Sequence, residues 1–192
     1  MNGKTIRIHL GKGSPSDILT TEIINWTGKV IVAPRAMLAD LAKREEVKRT
    51  GVYCLLGPDP ENPIRDSVYI GEGDNVFKRL TAHDDDESKE FWTRCAVVIG
   101  EDQNITTSHG RYIESQLLKL AADADLATIH NGTAPQSHRF QSQISLTWSI
   151  SFRRCSLFCH SSVLTSSKRN QLYRPLKVLR KQMLLPFSLT AQ

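Results

Sequence analysis

Four cysteines are scattered through 192 residues, aromatic side chains make up 7%, and no Asp or Glu occurs after position 125. No apolar run approaches the roughly 20 residues that cross a bilayer, and no signal-peptide pattern opens the chain. These absences lead to the expectation of a soluble, cytoplasmic protein in a reducing compartment, with no membrane partner. Cys155 and Cys159 stand beside His160 but lack the paired spacing of common zinc motifs. Cys54 and Cys95 lie in apolar, strand-like runs and are expected as core thiols. Gly11-Lys12-Gly13-Ser14 lacks the GxxxxGK[ST] spacing of a phosphate loop and reads as a turn. There is no internal repeat, and the length suits one domain with an appendage.

The missing acids divide the chain. Residues 1–136 carry 20 acidic side chains against 16 Lys and Arg, a net −4, whereas 137–192 carry nine Lys and Arg and no acid, a net +9. The overall +5 therefore belongs to the tail. A Ser- and Arg-rich segment of this kind suits phosphate contacts with nucleic acid. Yet Trp148, Phe152, Leu157, Phe158 and Leu164 follow neither a helical nor a strand period. A shifted reading frame from Ser137 onward permits PPLPESDIADMEYFLQTMQLVLPLLGF, with a proline-rich linker, acids and a helical apolar pattern. The expectation for 137–192 is a basic tail that is frameshifted or disordered, so its charge says little about function.

What is present upstream is ordered in type. Ile6, Ile8 and Leu10 alternate with Arg7 and His9, the pattern of a half-buried strand. Glu22 to Trp26 and Lys29 to Ala33 read as two more strands. Pro34 is placed to open a helix carrying Met37, Leu38, Leu41 and Val47. Residues 1–48 are thus expected to form an N-terminal α+β extension. In 49–136, Val52 to Leu56 and Val68 to Ile70 read as antiparallel strands joined by a Pro-containing loop. Alternation places Tyr53 and Leu55 on one face of the first strand. Gly71-Glu72-Gly73 is expected to turn the chain, with Asp74 as N-cap of a helix to about Ala82. On it Val76, Arg79 and His83 share one side by spacings of three and four. A second helix, about Thr107 to Ala122, is marked by Ile113, Leu117 and Leu120.

Gly51-Val52-Tyr53 reads GVY and Tyr69-Ile70-Gly71 reads YIG, followed in order by Arg79, His83, Glu114 and Asn131. This ordered set resembles the GIY-YIG endonuclease family over roughly Thr50 to Gln136. The resemblance implies an α+β core, a small antiparallel sheet flanked by helices, that hydrolyses DNA phosphodiester bonds with Mg²⁺ or Mn²⁺. It implies Glu114 as the metal ligand, Tyr53 in deprotonating the attacking water, and Tyr69 in positioning nucleophile or phosphate. It further implies Arg79 stabilising the developing charge, and Asn131 orienting the group by hydrogen bonds. The chemistry is coherent: a guanidinium stays charged and fits phosphate oxygens, and a lone carboxylate suits a cation that keeps most of its waters. His83 is suited to hold a proton or a phosphate near neutral pH.

The residues alone leave other readings open. Glu114 is placed to pair with Arg111 one turn earlier, His83 has Asp84, Asp85 and Asp86 as electrostatic neighbours, and Asn131-Gly132 is also a turn signal. The alternative function is a catalytically weak nucleic-acid-binding module that keeps the fold.

Overall fold

The computed structural model describes residues 5–132, apart from 12, 15, 25–26, 63 and 101–104. The tail expected at 137–192, with Cys155, Cys159 and His160, lies outside the described residues. So do Lys12 of the glycine-rich turn and Trp26 at the end of an expected strand. The described residues fall in one compact unit. In chain order they form β1 (Ile6–Leu10), β2 (Leu19–Ile23), β3 (Gly28–Pro34), α1 (Leu38–Leu41), β4 (Gly51–Pro58) and β5 (Asp66–Gly73). Then come α2 (Val76–Asp84), β6 (Arg94–Gly100), α3 (Thr107–Ala124) and β7 (Ala127–Ile129), with 3-10 turns at Arg35–Met37, Glu45–Lys48 and Glu87–Lys89. Among the described residues no helix is long and apolar enough to cross a membrane.

The fold is α+β, but the expected small antiparallel sheet is replaced by a larger mixed one. Seven strands join in the order β1-β2-β3-β6-β4-β5-β7. All neighbours are antiparallel except β5 and β7, which run parallel with Val68 opposite Ile129. The strands of 1–48 continue this sheet through the β3–β6 ladder, which sets Ile31 opposite Val97. The reason lies in composition. GKVIVAP and RCAVVIG are continuous apolar runs, and such strands need cover on both faces and a partner on both edges. β1 alternates as expected yet is exposed at all five residues, because it is the outermost strand and no described helix packs over it.

Register converts sequence alternation into two faces. Ile31, Val97, Tyr53 and Gly71 form one cross-strand row, and Ala33, Cys95, Leu55 and Tyr69 the next, on the same face. This face is covered by α1, α2 and the 3-10 turns; their Leu41, Val47, Val76 and Leu80, with Phe91 and Trp92 just after the last turn, complete the buried core. On the opposite face run Val30, Val98, Val52 and Glu72, then Val32, Ala96, Cys54 and Ile70. α3 packs on this side against β4, β5 and β7 with Ile113, Leu117 and Leu118 buried. Cys95 is a core thiol, pushed up to about 12 by burial, and Cys54 is half-buried.

Several boundaries differ from expectation. β5 runs through Gly71-Glu72-Gly73 without turning. Asn75, not Asp74, caps α2 by accepting from the Lys78 N–H at 2.9 Å, while Asp74 accepts from Thr107 Oγ1 at 2.5 Å and ties the helix start to α3. The helix expected from Pro34 is broken into two 3-10 turns and a single α turn, since Pro34 itself still belongs to β3. Thr106 caps α3 reciprocally with His109, so this helix begins where its periodicity does.

Candidate active site

Tyr53 and Tyr69 project from the same face because Leu55 lies opposite Tyr69 in the ladder, with Tyr53 two residues from Leu55. The ring centroids are 6.3 Å apart. Between them comes His83 from the last turn of α2, at 5.6 Å from Tyr53 and 5.0 Å from Tyr69. Tyr53 Oη and His83 Nε2 share a hydrogen bond of 2.8 Å. Gly71 makes room for it: a Cβ there would stand 2.6 Å from the Tyr53 hydroxyl, so any other residue would displace the phenol. Lys89 from the following 3-10 turn holds its Nζ 4.9 Å from the Tyr69 ring centre.

Burial sets the protonation of the pair. Tyr53 is 0% exposed, and burial, with Tyr69 beside it, raises its pKa well above the ordinary phenol value despite the opposing charge of Arg79. His83 is half-buried, and desolvation, then Arg79 and Lys89, lower its pKa, against Asp86. Near pH 7 the pair is therefore a neutral phenol and a neutral imidazole. Asp84, a sequence neighbour of His83, is taken by Arg35, with Nε to Oδ1 at 2.6 Å.

Glu114 lies on α3, on the opposite face of the sheet. Among the described residues it has no hydrogen-bond or salt-bridge partner. Arg111, the partner that the residues alone leave open for it, instead reaches Glu72 of β5, with Nε and Oε1 at 3.5 Å. Burial, then Glu72, raise the Glu114 pKa, and Arg111 and Arg79 oppose them. Arg79 passes its aliphatic stem over Gly73 at the end of β5. Its charge acts on Tyr53 and His83 on one side and on Glu114 on the other, so it links the two faces at the sheet's end.

Asn131 follows β7 and clasps the backbone of Ile70. Its Oδ1 accepts from the Ile70 N–H at 3.0 Å and its Nδ2 donates to the Ile70 carbonyl at 2.6 Å. It thereby fixes the strand between Tyr69 and Gly71 rather than touching any ring. His130 stacks on Phe91 at 4.5 Å and bonds Ser67 Oγ through Nε2 at 2.9 Å, a structural role beside it.

The structure thus gathers Tyr53, Tyr69, His83 and Arg79, sets Glu114 within the field of Arg79 from the other face, and gives Asn131 a scaffold role. Sequence reasoning missed Lys89 and Glu72. Glu72 had a signal: strand alternation puts it on the face of Val68 and Ile70, where a carboxylate is out of place. Lys89 had none, because a 3-10 turn carries no periodicity.

Glu114 is the open hard oxygen donor of this region; its neighbour Glu72 is engaged by Arg111 through Oε1, with Oε2 buried and without a hydrogen bond. Among the described residues no three His, Cys, Asp or Glu side chains form a cage. A single open carboxylate fits a hard divalent cation that keeps most of its waters and takes further oxygens from substrate. Compared with known proteins, the chain matches no family model, no curated protein and no solved structure.

Proposed function

We propose that this protein is a metal-dependent endonuclease that hydrolyses DNA phosphodiester bonds, with a core of the GIY-YIG type. One observation carries the reading: Glu114, the carboxylate that the motif order singles out, stands without a partner while its natural helix partner Arg111 is engaged elsewhere. A half-buried, unpaired carboxylate costs stability, and such groups are retained where they bind something.

Glu114 would hold Mg²⁺ or Mn²⁺, which when bound supplies Lewis-acid assistance and a more acidic water. The rest of the chemistry falls to the chain itself. Arg79, exposed and permanently charged, meets the non-bridging phosphate oxygens and opposes the charge that builds there. Tyr69 is half-buried and faces the approaching strand beside Lys89. Tyr53 is fully buried, which supports giving it an indirect role and giving His83 the direct one. In the tautomer whose Nε2–H donates to Tyr53 Oη, the imidazole would keep Nδ1 as an acceptor for a proton of the attacking water. Tyr53 then holds the ring orientation, as a buried partner does for other catalytic histidines.

The test is a plasmid-nicking assay with Mg²⁺. The wild-type protein should convert supercoiled DNA to open or linear forms, and Glu114→Gln, which keeps the shape and removes the charge, should leave it supercoiled. Nicking by Glu114→Gln at the wild-type rate sinks the assignment. Retention of DNA without cleavage by the wild type establishes the binding-module alternative instead.

A further inference from the structure

The nuclease reading explains why Glu114 should be unpaired but not what keeps it so. Arg111 and Glu114 are three residues apart on α3, a spacing at which opposite charges meet readily. In the structure they do not pair. The guanidinium is drawn to Glu72 on β5, where Nε and Oε1 lie 3.5 Å apart.

Glu72 itself is costly. It ends a cross-strand row whose neighbouring members are Val52, Val98 and Val30, its side chain is only 19% exposed, and its Oε2 is buried without a hydrogen bond. The contact with α3 is built around it. Gly110 sits above Glu72, and a Cβ at that position would stand 3.4 Å from both Glu72 Cβ and Oε2. Gly110 thus lies directly over the Glu72 side chain, close enough that even a methyl group would touch it. A buried, incompletely satisfied carboxylate under a helical glycine is more than packing requires, since a valine would continue the row.

We infer that Glu72 is a positioning residue: it holds Arg111 away from Glu114 and so keeps the Glu114 carboxylate open for a divalent cation. This rests on the metal-ligand reading of Glu114. Glu72 acts through Arg111 and is not itself a ligand. Removing Glu72 lets Arg111 fall onto Glu114 and close the site from within.

Mn²⁺ binding is measured by calorimetry on the full-length wild-type protein and on Glu72→Gln, Arg111→Gln and the double variant, together with a crystal structure of metal-free Glu72→Gln. In that structure Arg111 should form an ion pair with Glu114. Glu72→Gln should weaken Mn²⁺ binding by about 10–100-fold, the usual cost of losing an outer-shell partner. Arg111→Gln alone should change it little, while in the Glu72→Gln background it should restore affinity to near wild type. That non-additivity is the signature of one side chain blocking another. Equal tightening by Arg111→Gln in both backgrounds would show a simple field effect and overturn the proposal. A double variant as weak as Glu72→Gln would make Glu72 a ligand, which also overturns it. If no variant binds Mn²⁺, the metal reading of Glu114 fails. The crystal structure still decides the matter of Arg111, because an Arg111 that stays away from Glu114 in Glu72→Gln overturns the positioning role by itself.

Discussion

At Tyr53 the side chain is wholly buried, its hydroxyl is 2.8 Å from His83 Nε2, and its pKa is raised, all of which favour a phenol that keeps its proton. His83 is shifted in the opposite sense, below the ordinary imidazole value. If its neutral form accepts the proton of water, cleavage at saturating metal should be constant near pH 7 and fall on the acid side, with a midpoint below the usual imidazole value of about 6.5. The same shift makes stability fall in that direction, because the unfolded chain takes up the proton first as pH drops below about 6.5. His83→Gln should lower kcat by about 10²–10⁴-fold, the range for general-base loss, and remove the acid limb that His83 produces. Tyr53→Phe should cost less and keep the limb. An unchanged pH profile in His83→Gln would reject His83 as the base. The motif order in the sequence named both residues and the structure hydrogen-bonds them to each other, but the difference in burial behind the proposed division of labour was not legible, since only the packing of α2 on the sheet creates it.

The elements show where local signals suffice and where they do not. The β4 and β5 strands and α3 could be read from composition, because each has a clear period and a bounded apolar stripe. The break after Pro34 and the cap at Asn75 could not, since Asp74 and Asn75 are both good caps and only the tie of Asp74 to Thr107 decides between them. Asn131 is a further case, for Asn-Gly is ordinary turn chemistry until Ile70 lies beside it. β7 is three residues long, and the Asn131 side chain extends its hold on β5 by two more hydrogen bonds. Asn131→Ala leaves the Ile70 N–H and carbonyl without these partners, so it should cost about 1–3 kcal/mol. The midpoint of thermal unfolding should fall by about 2–4 °C for each kcal/mol of that loss. A midpoint within 1 °C of wild type, on the order of measurement scatter at this slope, would show that Asn131 is dispensable to the scaffold.

For the molecule as a whole, the division of charge sets the expectation. Residues 1–136 are net −4, so in the proposed nuclease the cations gathered locally, Arg79 and Lys89 above all, would have to draw the phosphate backbone to an acidic body. The nine Lys and Arg of 137–192 lie outside that body in sequence and follow no period that a packed element requires. The sheet also extends further toward the N-terminus than the motif span suggested, because β3 pairs with β6 and buries Val30, Ile31 and Val32. That joint was invisible in the sequence, where strand partners far apart leave no mark. A chain ended after Gln136 but starting at Met1 keeps every described element and every residue assigned to the chemistry. It should unfold cooperatively on heating and retain Mg²⁺-dependent nicking. Its DNA affinity should fall uniformly across sequences, with a shallower dependence on salt, since every phosphate that the protein no longer neutralises takes about 0.9 from the slope on duplex DNA. Loss of metal-dependent cleavage by a well-folded truncated chain would place part of the chemistry in 137–192. Loss of the fold itself would make those residues part of the domain rather than an appendage to it.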